Sequence, residues 1–201
     1  MAGLLVLSLS GCGPVATQGD SPVQVIMDSL TASRGFTTVQ PFATQLFSDV
    51  ETLVNVTIGG TTVRVPTVFA DVGRLNFHVA MKNSKLSPTV NLNSVTLQRY
   101  HVRFVRTDGR NTEGVDVPYA FDGGFTATAL ADGTTVTADF EIVRVQAKLE
   151  PPLVSLVGAG GALAISAIAV IDFFGVDGTG HNVTARGTIS ITFSDFGDPQ
   201  G

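Results

Sequence analysis

The chain has 201 residues, of which 44% are apolar and 14% charged, and its formal net charge is -5. This composition supports a sizeable hydrophobic core and argues against intrinsic disorder. The acidic balance argues against nucleic acid as a partner, because nucleic acid selects for basic surfaces. One cysteine and three histidines that lie far apart, His78, His101 and His181, do not match the ligand spacing of a zinc site.

The chain opens with an apolar run over residues 4–9, and residues 9–12 read Leu-Ser-Gly-Cys. This segment resembles the lipobox of bacterial lipoproteins. The resemblance implies that residues 1–11 are a signal peptide and that Cys12 becomes the lipid-carrying N-terminus. Residues 12–22, rich in Gly, Pro, Ser and Thr, would then be a flexible tether that holds the protein on a membrane.

The same resemblance implies a place in the cell envelope. Gly13, rather than an aspartate, follows the cysteine, which favours the outer membrane of a Gram-negative bacterium. Residues 1–3 carry no Lys or Arg, which predicts that the natural leader begins further upstream. An ordinary apolar N-terminus with one buried cysteine is the alternative.

The dominant hydrophobic period over the rest of the chain is two, as in half-buried strands. It is clearest in three segments, whose apolar members are Leu75, Phe77, Val79 and Met81; Val136, Ala138, Phe140 and Ile142; and Ile189, Ile191 and Phe193. Glycine-containing turn signals, such as Gly59-Gly60 and Asp132-Gly133, separate the segments. The pattern predicts an all-β fold built as an antiparallel sandwich.

Two long segments change phase midway. In residues 95–104 the apolar side chains occupy odd positions up to Leu97 and even positions from Tyr100 onward. In residues 136–149 they occupy even positions up to Ile142 and odd positions after it. A slip of one residue is the signature of a β-bulge, which bends a strand. We therefore expect two bent or bulged long strands.

Residues 162–193 have the form of a strand, a polar turn over 177–182, and a closing strand. This resembles the final hairpin of bacterial immunoglobulin-like domains, and implies an immunoglobulin-like sandwich, or an enlarged form of it, over residues 23–199. An alternative division gives two small sandwiches split near residues 83–94.

Residues 153–171 carry no charge and have the length of a membrane-spanning helix. Glycines cluster at 158, 160 and 161, and the segment after them alternates large and small side chains. A Gly-rich turn followed by a buried strand is the preferred interpretation, with a membrane span as the alternative.

The densest polar stretch is 106–116. It holds four side chains with oxygen ligands, Asp108, Asn111, Glu113 and Asp116, which suit calcium. Arg106 and Arg110 lie in the same loop and are able to neutralise these carboxylates. We expect a salt-bridged loop and no cofactor, with a calcium site as the alternative.

Arg99, His101 and Arg103 share one face of a predicted strand. Such a stripe suits an anion or an acidic sugar. The alternative is an ordinary solvated face, where outward charges discourage edge pairing.

The sequence contains none of the nucleophile-elbow, zincin, phosphate-loop or dinucleotide-binding patterns. We therefore expect a non-catalytic envelope lipoprotein that serves in adhesion, assembly or scaffolding, with an envelope protein or a glycan as partner. A carbohydrate- or anion-binding module is the alternative, and an enzyme with an unfamiliar site is less favoured.

Overall fold

The computed structural model describes residues 21–38, 40–83, 85 and 93–197. These residues form strands with very little helix, and the predicted all-β class is confirmed. The strands are β1 (Val23–Ser33), β2 (Gln45–Asp49), β3 (Thr52–Ile58), β4 (Thr61–Thr67), β5 (Asp71–Met81), β6 (Ser94–Val105), β7 (Phe121–Leu130), β8 (Val136–Val143), β9 (Ala164–Asp177) and β10 (Asn182–Ser194). Helix α1 (Val145–Leu149) and a 3-10 turn (Leu153–Leu156) lie between β8 and β9.

Two main sheets make a sandwich-like arrangement. One has the strand order β1-β5-β8, and the other has the order β2-β10-β9-β6-β7. All neighbours within these sheets are antiparallel, except that β2 runs parallel to β10. Strands from before and after residues 83–94 occur in both sheets, so backbone hydrogen bonds join the two parts of the chain.

The core lies between these sheets and follows the predicted alternation. Leu75, Phe77 and Val79 have no exposed surface, and their neighbours in sequence face outward. At the centre the Phe140 ring lies 5.0 Å from that of Tyr100 and 5.3 Å from that of Phe173, measured between centroids. Such aromatic pairs add specific contacts to the burial of large apolar surfaces.

Both predicted phase changes coincide with irregular strand pairing. Gln98 is an extra residue on β6 relative to β9, because Leu97 pairs with Gly175 and Arg99 with Phe174. Ile142 is an extra residue on β8, where Asp71 pairs with Val143 but Val72 pairs with Glu141. The second long strand does not continue to residue 149, however. It ends at Val143, and helix α1 follows, which buries Lys148 rather than the apolar residues at odd positions.

The closing hairpin is formed by β9 and β10, which pair along their whole length from Asn182 and Val176 to Ser194 and Ala164. The preferred interpretation of residues 153–171 is therefore correct in outline, since a Gly-containing turn precedes strand β9. Across the described ranges, no helix is both long enough and apolar enough to cross a membrane.

The sandwich has two distinct ends. We call the end that holds Ser21, the start of β1 and the start of β10 the proximal pole; Ser21, Lys82 and Asn182 line one small cavity there. The distal pole holds the end of β1, the start of β5 and the ends of β2, β8 and β10. Strand β1 runs from one pole to the other, which is roughly 35 Å for its 11 residues.

Strands β3 and β4 form a separate two-stranded sheet next to the distal pole, because β3 follows the end of β2 and β4 precedes the start of β5. Their turn consists of Gly59 and Gly60 with φ values of 59° and 83°. A two-residue turn of type I′ needs positive φ at both positions, and glycine adopts it without steric cost. One face of this hairpin exposes valines and Ile58, which is 66% exposed.

Candidate functional site

The distal pole is organised around a buried ion pair. Lys148 Nζ lies 2.9 Å from Asp71 Oδ1, and the two side chains are 1% and 0% exposed. Lys148 also donates a hydrogen bond to the carbonyl oxygen of Asp49, at 2.8 Å. Ser48 donates its hydroxyl to Asp71 Oδ2 at 2.5 Å. Buried charges of this kind are tolerated when they are paired and their remaining hydrogen-bonding atoms are satisfied.

The same carboxylate holds the chain that follows β1. The Gly35 N–H donates to Asp71 Oδ1 at 2.8 Å. Glycine is required at position 35 by close packing, since a Cβ there would lie 2.1 Å from the carbonyl oxygen of Ala70 and 2.5 Å from Cβ of Phe69. Ser33 closes the loop by donating to the carbonyl oxygen of Gln40 at 2.9 Å. The segment after β1 is therefore pinned to the start of β5.

This pinned segment forms one wall of a surface groove, which we call the distal groove. It consists of two neighbouring cavities of about 380 and about 350 Å³, and both are lined by Arg34 and Gln40. Phe36, Phe42 and Phe69 line the first cavity, and Phe47 lines the second. Volumes in this range are typical of small-molecule sites.

The phenylalanine rings give the groove apolar faces. The rings of Phe36 and Phe69 lie 6.2 Å apart and are tilted by 49°. The ring of Phe42 lies 3.9 Å from the guanidinium carbon of Arg74, at cation–π distance. The first three phenylalanines are partly exposed and Phe47 is 52% exposed, so the rings present surface to the solvent.

At one end of the groove Arg74 and Asp139 form a two-pronged ion pair. Arg74 donates from Nε to Asp139 Oδ1 at 2.7 Å and from Nη2 to Oδ2 at 2.8 Å. These hydrogen bonds raise the pKa of Arg74 and lower the pKa of Asp139. The carboxylate therefore stays ionised at neutral pH and balances the charge of Arg74.

Arg34 is the other charged side chain in the groove, and it lies 5.9 Å from the centroid of the Phe36 ring. Among the described residues no carboxylate lies within ion-pair distance of Arg34. The groove therefore carries one unbalanced positive charge on a protein whose formal net charge is -5.

The predicted basic stripe lies elsewhere, on the outer face of the five-stranded sheet. Arg99 stacks on Phe174 at 4.6 Å, and His101 Nδ1 lies 3.2 Å from Asp122 Oδ1. Arg103 occupies the same face of β6. The structure thus places the three residues on one face as predicted, with two of them engaged by neighbouring side chains. Anion binding by this stripe stays a prediction.

In the loop predicted as a possible calcium site, Asp108 and Asn111 contact other residues of the same loop. The Asp108 carboxylate lies between Arg106 and Arg110, at 2.6 and 3.1 Å. The hydrogen bond from Arg106 holds the pKa of Asp108 well below its usual range. Asn111 Oδ1 accepts from the Arg106 N–H.

The other two predicted ligands are also held within the loop or along its backbone. Asp116 Oδ2 accepts from the Thr112 N–H at 3.2 Å, and Glu113 forms a backbone bridge with Val117. Within the described ranges no three His, Cys, Asp or Glu side chains come together in a way that would hold a metal ion. The loop is a network of ion pairs and turns, and calcium binding stays a prediction.

Cys12 lies outside the described residues, and its lipidation stays a prediction. The sequence patterns predict neither the distal groove nor the Lys148–Asp71 pair. The apolar side chains at odd positions place Lys148 on the outward face of a predicted strand, so the local sequence gives no signal of its burial. Nothing local connects Phe36 or Phe42 with Phe69, because tertiary structure alone brings them together.

Comparison with known proteins found no relative of this chain. No protein-family model, no curated protein and no solved structure matches the chain. The described residues form an all-β, sandwich-like protein, and the distal groove is a candidate binding surface on it.

Proposed function

We propose that this protein is a non-catalytic cell-envelope lipoprotein that serves as an adhesion, assembly or scaffolding module, with its distal pole as the interacting end. The observation that supports this most is the separation of the two poles. The chain enters the sandwich at the proximal pole, and the groove lies at the other end of β1, roughly 35 Å away.

This separation suits a protein that is held by its N-terminus. A lipid on Cys12 would hold the proximal pole near the membrane, because Cys12 precedes the start of β1 by 11 residues. The distal groove and the β3–β4 hairpin would then face away from that membrane. Buried polar contacts at the distal pole favour a preformed surface there, because Asp71 fixes both Lys148 and the Gly35 loop.

The anchor is tested by intact mass and membrane fractionation in a Gram-negative host of the full-length chain preceded by a short lysine-containing n-region, which residues 1–3 lack, with Cys12→Ala as the control. We expect loss of residues 1–11, an acyl mass on Cys12, and recovery in the membrane fraction that Cys12→Ala abolishes. A thioether-linked diacylglycerol carries two acyl chains, the number that stable anchoring requires. An unprocessed product that is absent from the membrane fraction contradicts the proposal.

The display geometry is tested separately on the purified lipoprotein in vesicles. A fluorophore is placed at Ile58→Cys in the hairpin turn region or at Asn182→Cys at the proximal pole, since both sites are exposed. A quencher on the lipid headgroups should quench the label at 182 more strongly than the label at 58. The reverse order contradicts the proposed orientation.

A second candidate function is a carbohydrate- or anion-binding module, and the distal groove favours it. Its partly exposed phenylalanines and its unbalanced Arg34 combine an apolar face with a positive charge. Binding at this groove would replace the stripe around Arg99 as the expected contact surface. The test is the binding of glycans to the wild-type protein and to variants of the groove residues Arg34 and Phe36.

A further inference from the structure

We propose that the distal groove binds an acidic sugar, with Arg34 contacting the carboxylate of a uronic acid and the phenylalanines contacting the ring. This inference rests on the second candidate function and is independent of the lipid anchor. It assigns a ligand class and a contact residue to a cavity of about 380 Å³.

Charge complementarity identifies the anionic part. Three charged side chains line the groove, and two of them, Arg74 and Asp139, neutralise each other through two hydrogen bonds. The remaining charge on Arg34 sits in a concave site, where attraction for an anion is stronger than on a flat, fully hydrated surface. A guanidinium also matches the geometry of a carboxylate by donating two parallel hydrogen bonds.

The Arg74–Asp139 ion pair determines the orientation in which the ligand is expected to bind. Asp139 remains ionised, and it would repel a second carboxylate brought close to Arg74. The acid group of the ligand is therefore expected at Arg34, which lies between the two cavities. Free lone pairs on Asp139 can accept hydrogen bonds from sugar hydroxyls.

The apolar walls identify the rest of the ligand. Phe36 and Phe69 are tilted against each other by 49° rather than stacked, and both side chains line the first cavity. Thr37 and Thr38 are exposed and line the first cavity, and Gln40, whose amide nitrogen donates to the Thr38 hydroxyl, lines both cavities. Apolar ring faces beside hydroxyl and amide groups suit a pyranose, which has an apolar face and a polar edge.

The test uses the full-length Cys12→Ala protein, so that anchoring does not affect the result, and measures binding calorimetrically. The probes are trigalacturonic acid and its fully methyl-esterified form, in which each carboxylate is replaced by an uncharged methyl ester. We expect trigalacturonic acid to bind in the micromolar to millimolar range and the ester to bind at least tenfold more weakly. Loss of a hydrogen bond to a charged group is of this size.

Two variants with a matched control locate the site. Arg34→Gln should weaken binding of the acid at least tenfold, and Phe36→Leu should weaken it while an apolar side chain remains. Arg99→Gln is the control, because Arg99 also lies near a phenylalanine but on the outer face of the other sheet. Unfolding midpoints of all variants are measured to show that each is folded.

Each outcome of these binding measurements either supports or overturns the proposal. Binding that depends on Arg34 and on the free carboxylate, and is unaffected by Arg99→Gln, supports the proposal. Absence of binding to trigalacturonic acid overturns it, as does equal binding of the ester or unchanged binding in Arg34→Gln. Loss in Arg99→Gln but not in Arg34→Gln would overturn it in favour of the basic stripe. None of these results bears on the membrane anchor, which the fractionation experiment tests.

Discussion

Lys148 and Asp71 are 77 positions apart in the chain, and their charged atoms meet at 2.9 Å with almost no exposure to solvent. The pair connects helix α1 to the first residue of β5. Through Asp49, Ser48 and Gly35 it also reaches the end of β2 and the loop that forms the groove. A single carboxylate thus organises the distal pole.

The first prediction concerns this pair. Lys148→Met should lower the free energy of unfolding by about 3–5 kcal/mol, because it leaves the Asp71 carboxylate buried without its counter-charge. The double variant Lys148→Met/Asp71→Asn should be less destabilised than Lys148→Met alone, since the asparagine still accepts the hydrogen bond from Gly35 but carries no charge. Urea unfolding of the double-mutant cycle measures both effects.

An exposed ion pair is the control for that cycle. Arg186 and Asp172 also form a close pair, but Arg186 is 63% exposed, and solvent screens such pairs. Arg186→Met should leave the unfolding midpoint nearly unchanged. If Lys148→Met has an equally small effect, the Lys148–Asp71 pair does not hold the distal pole together.

The second prediction concerns the approach of two backbone segments. Gly35→Ala should destabilise the protein by roughly 1–3 kcal/mol, because the new methyl group overlaps the carbonyl oxygen of Ala70 and the backbone must move. Gly124→Ala is the matched control, since a Cβ there meets nothing within 4 Å. Thermal unfolding of both variants checks this. Equal midpoints for the two would show that the loop after β1 is not tightly packed on residue 70.

How much of the fold the sequence predicts depends on how local each signal is. The strand over residues 75–81, the turn at Gly59-Gly60 and the β9–β10 hairpin follow from an alternating pattern or a glycine pair within a few residues. The bulges at Gln98 and Ile142 were predicted for the same reason, because a change of phase is visible in the sequence itself.

Features that depend on distant residues were not predictable in this way. Alternation at positions 143, 145, 147 and 149 has the period of a strand, but residues 145–149 form a short helix whose buried residue is Lys148, in contact with Asp71 and the carbonyl oxygen of Asp49. The distal groove combines Phe36 with Phe69, which meet because Gly35 packs on Ala70. No periodicity encodes such a contact, whereas the stripe at Arg99 is visible in the alternation of a single strand.

The third prediction concerns the aromatic centre of the core. Phe140→Ala should lower the free energy of unfolding by roughly 3–5 kcal/mol, because the side chain is 5% exposed and the cavity left by it cannot refill from Tyr100 or Phe173. Phe47→Ala, at a ring that is 52% exposed, should cost much less. Urea unfolding measures the difference. A small effect at Phe140 would mean that the core face of β8 is assigned incorrectly.

The fourth prediction concerns acid stability at the proximal pole. Asp177 Oδ1 accepts hydrogen bonds from the N–H and hydroxyl of Thr179, at 2.9 and 2.7 Å, and from the His181 N–H at 2.9 Å. Burial by itself raises the pKa of Asp177, but the hydrogen bonds from Thr179, Ser21 and His181 outweigh it and hold the pKa well below its usual range.

Because folding lowers this pKa, the stabilisation by Asp177 is complete above its unfolded pKa of about 4 and is lost as the pH falls. Asp177→Asn should therefore cost about 1–3 kcal/mol at pH 7, the size expected for lost hydrogen bonds to a charged group. The difference from wild type should shrink between about pH 5 and pH 2. Asp122→Asn, at a side chain 64% exposed, should change little at either pH. Urea unfolding across this range is the measurement, and a gap that stays constant with pH would show that ionised Asp177 does not stabilise the turn between β9 and β10.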